Sequence, residues 1–116
     1  MVSLEEVVER SYLFDFYGEL LTEHQRSIYQ SFVFENYSLS EIASEQGISR
    51  QGVHDLIKRC DRLLISYEDK LHLVERFQRL RKQVDDLIRV CEDTKLSKEQ
   101  RIEVCIQQAN ILREDL

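Results

Sequence analysis

Residues Ser38–Ser66 read SLSEIASEQGISRQGVHDLIKRCDRLLIS. Ser38 and Glu41 have the spacing of a capping box, in which the two side chains bond backbone amides at the start of a helix. Gly47 follows where that helix should end, since glycine adopts the positive φ of a helix C-terminus without steric cost. Ser49 is a second N-cap residue and predicts another helix directly after it. Two helices joined by such a turn form a helix-turn-helix.

The apolar residues of this segment fall where two crossing helices need them. Ala43 is small enough to let the second helix cross closely, and Ile48 is predicted to fill the corner between the helices. In the second helix, apolar residues recur at helical spacing, at Val53, Leu56, Ile57 and Cys60. The pattern predicts one buried face and leaves the opposite face available to a ligand.

The second helix is more basic than the segment before the motif. Ser49–Ser66 holds four basic and two acidic residues, whereas residues 1–37 hold two basic and seven acidic ones. Positive charge concentrated on one helix is the first feature to look for in a nucleic-acid-binding protein. Arg50 and Gln51 are of the types that pair with guanine and adenine edges in the major groove. The same side chains are equally typical of a solvated helix face.

Composition places the chain in the all-α class. Its 116 residues include no proline and only three glycines, so few residues interrupt helices. The net charge is −6. Most dedicated DNA-binding proteins are basic, and an acidic chain loses the long-range attraction to a polyanion. Binding to nucleic acid is therefore expected to be weak or to require a dimer.

No pattern indicates catalysis, a cofactor or a metal. The cysteines, Cys60, Cys91 and Cys105, form no CxxC motif and have no histidine at metal-ligand spacing, which argues against a disulfide framework and a zinc site. There is no Gly-rich phosphate loop, and no nucleophile lies beside a base. The sequence also shows no signal peptide and no run of eighteen apolar residues. A non-enzymatic, cytoplasmic protein with reduced thiols is expected.

Two further helices are predicted before the motif. The first, over Leu4–Gly18, ends in the aromatic run YLFDFYGELL, Tyr12–Leu21. This run could stack on bases, but acidic rather than basic residues interleave it, which favours a core role. Thr22 and Gln25 form a capping box for the second helix, which is predicted to reach about Phe34.

Beyond Ser66 the amphipathic pattern continues. Apolar residues recur every three or four positions from Tyr67 to Cys91, so the second helix of the motif is either continued or followed closely by a long amphipathic helix. A capping box at Ser97 and Gln100 then starts a last helix. The sequence thus predicts a helix-turn-helix domain over residues 1–66 and a helical extension over residues 67–116.

The extension leaves two questions open. Its basic residues could reach phosphates or form a solvated face, and they are Arg76, Arg79, Arg81 and Lys82. Its apolar seams could fold back on the N-terminal domain or pair between two chains. We expect a homodimer, because pairing would also supply the second reading helix that a weak, acidic monomer needs.

The segment LFDFYGELLTEHQRSIYQSFVFENYSLSEIASEQGISRQGVHDLIKR resembles the YlxM family, small bacterial helix-turn-helix proteins typically encoded beside the signal recognition particle protein and its receptor. The resemblance runs from about Tyr12 to Phe77. The order of a TxxQ helix, a SxxEIA helix and an SRQxV helix is also similar to region 4 of bacterial sigma factors. Both resemblances imply DNA or RNA binding. The YlxM resemblance also implies a regulatory part in signal recognition particle protein targeting, inferred from gene neighbourhood.

The resemblance and the charge pattern together nominate a nucleic-acid-binding surface. Its predicted residues are Ser49, Arg50, Gln51, His54, Lys58 and Arg59. The sequence departs from the family pattern at Gly52, where Ala is usual, and at His54, where Tyr is frequent. DNA is the expected ligand, with RNA as an alternative. A second hypothesis from a different class is a non-catalytic protein-interaction module that keeps the motif as scaffold and grips signal recognition particle components.

Overall fold

The computed structural model describes residues 4–116, with side chains from Glu6 onward. Over that range the chain forms six α-helices and no strand, namely α1 (Leu4–Tyr17), α2 (Glu23–Val33), α3 (Leu39–Gln46), α4 (Arg50–Leu71), α5 (Leu73–Glu92) and α6 (Lys98–Asp115). A 3-10 turn, Gly18–Leu20, follows α1. The predicted all-α class and the helix-turn-helix, formed by α3 and α4, are confirmed. The first three residues of the predicted N-terminal domain lie outside the described residues.

The chain divides into two compact units between Val74 and Glu75. The sequence places the domain boundary at Ser66, eight residues earlier. The difference arises because α4 does not end there but continues to Leu71, and Tyr67 in its last turns packs against the core of the first unit. The second unit, Glu75–Leu116, is called the hairpin below.

A single hydrophobic core holds the first unit together. Helix α4 lies at its centre and packs against α1, α2 and α3. The buried side chains are Leu13, Tyr17, Leu21, Ile28, Tyr29, Val33, Ile42, Ala43, Val53, Ile57, Cys60, Leu64 and Val74. The aromatic run belongs to this core, with the Phe14 ring stacked on the Tyr29 ring at a centroid distance of 5.9 Å. The core role is therefore the one that the structure supports.

The predicted caps begin and end the helices of the first unit. Both Thr22 and Ser38 form complete capping boxes, at the starts of α2 and α3. Gly47 ends α3 with a φ of 69°, the left-handed conformation that favours glycine. Ile48 does not fill the corner of the motif, since its side chain is 37% exposed. The turn is instead closed by backbone hydrogen bonds, because the amides of Gly47 and Ile48 both donate to the Ala43 carbonyl.

A polar cluster surrounds the first residues of α5, at the end of the first unit. The Tyr17 hydroxyl donates to the Glu68 carboxylate over 2.5 Å, and it accepts a hydrogen bond from the Leu73 amide over 3.1 Å. Glu68 also accepts from the Val74 amide over 2.9 Å, so side chains from α1 and α4 satisfy the first amides of α5. His72 separates the two helices with a φ of 55°. The structure combines the two predicted alternatives, because α4 continues past Ser66 to Leu71 and a second long helix, α5, follows at once.

The hairpin consists of two antiparallel helices. Its open end is tied by Asp115, which accepts hydrogen bonds from Arg76 and Gln83. At the other end, the α5 residue Cys91 meets Cys105 of α6. No side chain from Glu75 to Leu116 is buried. Among the residues that the structure describes, no helix is both long and apolar enough to cross a membrane.

Candidate nucleic-acid interface

Helix α4 begins at a capped and exposed N-terminus. The Ser49 hydroxyl accepts a hydrogen bond from the Gly52 amide over 2.9 Å, which confirms the predicted cap. A Cβ atom at position 52 would lie 3.0 Å from the Ser49 oxygen, a tight contact. Glycine at this position therefore leaves the cap unobstructed. Ser49 itself is committed to the cap, so its side chain is less available to a ligand than the sequence suggests.

One face of α4 is buried and the opposite face is open to solvent. The buried positions are Val53, Ile57, Cys60 and Leu64. Four exposed residues at spacings of four, three and four lie on the opposite face, where residues at helical spacing line up. We call this set the outer strip, and its members are Gln51, Asp55, Lys58 and Arg62.

The predicted residues Arg50 and Arg59 lie on either side of the outer strip. Both side chains are exposed. They are nine residues apart, about two and a half helical turns, and so project from opposite sides of α4. They therefore flank one face of the helix. The structure places the six predicted residues together at the N-terminal half of α4, but only Gln51 and Lys58 belong to the outer strip.

Two polar side chains near the start of α4 contact the Asp55 carboxylate. Gln51 Nε2 donates to the Asp55 carboxylate over 2.9 Å. His54 Nδ1 lies 3.5 Å from the same carboxylate oxygen. All three side chains are exposed. Because Gln51 is engaged with Asp55, it must release this hydrogen bond before it can read a base edge.

The second carboxylate of the segment, Asp61, is turned away from the exposed face. Its Oδ2 accepts a hydrogen bond from Arg10 Nη2 over 2.6 Å, and its Oδ1 accepts one from the Tyr29 hydroxyl over 2.7 Å. Burial and the hydrogen bond to Asp61 raise the pKa of Tyr29, so this donor stays protonated. The negative charge of Asp61 is thus balanced by the Arg10 guanidinium. It does not offset the positive charge that α4 presents to solvent.

The exposed cations of α4 from its start to Arg62 have no anionic partner within the described part of the chain. They are Arg50, Lys58, Arg59 and Arg62, and neither an ion pair nor a hydrogen bond ties them. Arg62 is absent from the predicted site. Its spacing of four residues from Lys58 was the signal that could have placed it on the same face.

Other basic residues of the chain are arranged differently. In the hairpin, Arg76 Nη2 donates to the Asp115 carbonyl, and Arg79 Nε lies 3.4 Å from the Asp115 carboxylate. Arg81 and Lys82 are exposed. Two of the four residues in this basic group are therefore engaged within the hairpin. The exposed cations of α4 form the more available positive surface.

The sequence matches a known protein family. The UPF0122 model of YlxM / p13 like helix-turn-helix proteins covers residues 4–109. A UPF0122 protein of Clostridium botulinum (strain Alaska E43 / Type E3) is 48% identical over 81 residues, which are 70% of this chain and 74% of that protein. The UPF0122 protein YlxM of Bacillus subtilis (strain 168) is 40% identical over 98 residues, or 84% and 89% of the two chains. The chain therefore belongs to the UPF0122 family of YlxM / p13 like helix-turn-helix proteins.

Proposed function

We propose that the protein is a non-enzymatic, cytoplasmic regulator that binds duplex nucleic acid, with DNA as the preferred ligand, through the exposed face of α4. The observation that carries this proposal is the unpartnered basic surface of that helix. Asp61 is held by Arg10 and Tyr29, so it leaves this surface positive in a chain whose net charge is −6. A positive helix face in an acidic chain supports a local site for phosphates.

The arrangement of α4 suits entry into a major groove. In a helix-turn-helix the second helix lies in the groove, and its N-terminal residues reach base edges. In this geometry the first turn of α4, with Arg50 and Gln51, faces the groove floor. Lys58 and Arg62 lie about two and three turns further along the helix and face the sugar-phosphate backbone, where phosphate contacts fix register without reading sequence. Gln51 is the candidate for base reading, because Gln pairs with adenine in the major groove.

A second copy of the chain completes the proposed binding unit. The hairpin exposes large aliphatic and aromatic side chains along one side of α5, at Phe77, Val84 and Ile88. Their spacings of seven and four residues place them in one stripe. Pairing of this stripe with that of a second chain buries apolar surface and brings two α4 helices to one duplex. We expect the homodimer to appear in sedimentation equilibrium, and Val84→Asp to shift the protein to monomer.

Binding to a labelled duplex DNA pool at 50 and 200 mM salt tests the nucleic-acid role. The variant Lys58→Ala with Arg62→Ala removes two outer-strip charges. The matched control, Arg81→Ala with Lys82→Ala, removes two exposed charges from the hairpin. We expect the α4 variant to bind more weakly and to reduce the slope of log affinity against log salt by about 2, because each lost phosphate contact lowers it by about 1.

The hairpin variant, Arg81→Ala with Lys82→Ala, shows whether lost affinity is specific to α4. Unchanged salt dependence in the α4 variant, or equal losses in both variants, would count against a specific role of α4. Replacing Arg50 and Gln51 with Ala then separates base reading from phosphate contacts. We expect this variant to lose about 1–3 kcal/mol of discrimination at one base pair while thermal stability is unchanged.

A protein-interaction module is the second candidate function, and the exposed apolar stripe of the hairpin favours it. In this alternative the hairpin binds a component of the signal recognition particle, and the helix-turn-helix has only a structural role. The test adds the RNA of that particle and its protein as probes beside DNA. Protein binding that disappears when the chain ends after Arg79, with no affinity for DNA or RNA at 50 mM salt, would replace the proposal. Steeply salt-dependent binding to the RNA alone would keep the α4 role and change the ligand.

A further inference from the structure

Two thiols of the hairpin lie against each other at its surface. Sγ of Cys91 is 3.2 Å from Sγ of Cys105, although the residues are 14 positions apart. Cys91 is exposed near the end of α5, and Cys105 is half-buried in α6. The third cysteine, Cys60, is fully buried in the first unit. The sequence predicts no pairing of these thiols, because only the antiparallel course of the hairpin brings two of them together.

The surroundings of the pair are positively charged and open. Besides the two cysteines, an open groove is lined by Lys98, Arg101, Ile102 and Ile106. Arg101 Nη1 donates to the Cys91 carbonyl over 3.4 Å, which holds the guanidinium beside the thiols. Cationic side chains stabilise a thiolate and attract anionic reagents. The groove therefore combines a reactive group with a means of attracting a negatively charged partner.

The two thiols are not equivalent. The hydrogen bond with Cys91 raises the pKa of Cys105, and partial burial acts in the same direction. Cys91 is the more exposed of the two. An incoming reagent therefore meets Cys91 first, while Cys105 lies in position to attack the Cys91 sulfur in a second step.

We propose that Cys91 and Cys105 form a dithiol site that anionic low-molecular-weight disulfides oxidise to an intrachain disulfide. The Cys91 thiolate attacks one sulfur of the reagent and expels the other half as a thiolate, which leaves a mixed disulfide. The Cys105 thiolate then attacks the Cys91 sulfur and expels the second half. Two protein thiols become one disulfide, the reagent is reduced to two thiols, and the two protons pass to the released thiolates.

The structure needs little rearrangement for this reaction. The sulfurs must approach from 3.2 Å to about 2.05 Å, a change of the size that side-chain rotation supplies. The product links α5 to α6 within one chain. Because the hairpin has no buried side chain of its own, such a link is expected to restrict its opening.

Oxidation of the full-length protein by glutathione disulfide, a carboxylate-bearing probe, tests the proposal. Mass spectrometry of the wild-type protein should show a loss of two hydrogens and a peptide linking Cys91 to Cys105, with Cys60 still reduced. The Cys105→Ser variant cannot complete the second step, so it should accumulate one glutathione adduct on Cys91. Tenfold dilution of the protein at a constant concentration of glutathione disulfide should leave the rate of linking unchanged, because the second step is intramolecular.

Three outcomes of the glutathione experiment would contradict the proposal. A persistent glutathione adduct on the wild-type protein, a disulfide between chains, or no oxidation at all would overturn the dithiol site. The anionic preference is tested by Lys98→Gln, with Lys95→Gln in the exposed connection as its control. We expect only Lys98→Gln to slow the reaction severalfold, and to slow it less with the neutral reagent 2-hydroxyethyl disulfide. Equal rates for both variants would remove the preference from the proposal.

Discussion

The two units of the molecule use amphipathic helices in opposite ways. In the first unit, the apolar side of α4 is covered by α1, α2 and α3, and the thirteen side chains found buried between Glu6 and Leu116 all lie at or before Val74. In the hairpin, α5 carries an equally regular apolar stripe, but Phe77, Val84 and Ile88 remain exposed. The difference shows that helical periodicity identifies a face that needs cover, and that the rest of the chain decides whether the cover is present.

The two units are expected to differ in their free energy of unfolding. The core of the first unit supplies its own hydrophobic driving force, since burial of apolar surface is the main favourable contribution to folding. The hairpin has no buried side chain, and polar contacts such as the Asp115 hydrogen bonds to Arg76 and Gln83 help to hold it. We therefore expect the first unit to unfold cooperatively and the hairpin to open at much lower free energy.

The largest expected effect comes from truncating a buried isoleucine. Ile57 is 3% exposed in the core, whereas Ile111 is 50% exposed in α6. Ile57→Ala should lower the free energy of unfolding by about 2–5 kcal/mol, because it removes buried methylene groups and leaves a cavity. Ile111→Ala should change it by about 0.5 kcal/mol or less. Urea denaturation measures both, and similar losses in the two variants would contradict the contrast between the units.

A smaller effect is expected at alkaline pH. Burial raises the pKa of the Cys60 thiol to about 11 from an ordinary value of 9.0. The unfolded thiol ionises first, so this contribution to stability is complete below pH 9 and is lost as the pH rises to 11. The expected loss is about 2–3 kcal/mol for this group, since each pKa unit corresponds to about 1.4 kcal/mol. Cys60→Ala should flatten the decline measured by urea unfolding of the first unit between pH 9 and 11, the interval between the unfolded and folded pKa values of this thiol. An equally steep decline in that variant would refute the assignment.

Two serine N-caps, one in each unit, provide a further test of the difference in stability. The Ser49 hydroxyl accepts a hydrogen bond from the Gly52 amide, and the Ser97 hydroxyl accepts one from the Gln100 amide over 3.1 Å. Ser49→Ala should lower the global free energy of unfolding by about 1 kcal/mol, because α4 is central to the core. Ser97→Ala should instead raise amide hydrogen exchange in α6 alone. A global loss from Ser97→Ala would show that the two units unfold together.

The smallest effect on stability is expected at the proposed interface. Lys58 and Arg62 are exposed and lie opposite the buried face of α4. Replacing both with Ala should change the free energy of unfolding by less than about 0.5 kcal/mol, as for most surface positions. Thermal denaturation checks this expectation. A large loss would mean that the side chains support the fold, and the weaker binding of the same variant could then not be assigned to lost phosphate contacts.

Much of the first unit could be predicted from the sequence, because its signals are local. Capping boxes at Thr22 and Ser38 and the left-handed glycine at position 47 depend on residues three to nine positions apart, and the structure shows each of them. The break at His72 had no such signal. It depends on Glu68 and on Tyr17, which is 56 positions away from Leu73, because these side chains accept hydrogen bonds from the first amides of α5.

The candidate site was predictable to a similar extent. The sequence identifies the basic helix and the exposed residues Arg50, Gln51 and Lys58, but helical spacing alone would have added Arg62. The role of Asp61 could not be read from the sequence, since its partners Arg10 and Tyr29 come from α1 and α2. The contact between Cys91 and Cys105 likewise depends on the course of the hairpin.

Chemical-shift mapping by NMR identifies the helix that meets nucleic acid. Amide resonances of the full-length protein are followed while unlabelled duplex DNA is added at 50 mM salt. We expect the largest shifts to cluster on the exposed side of α4, from Arg50 to Arg62, and to disappear at high salt. Shifts confined to α5 and α6, or the absence of shifts at low salt, would contradict a nucleic-acid-binding role for the helix-turn-helix.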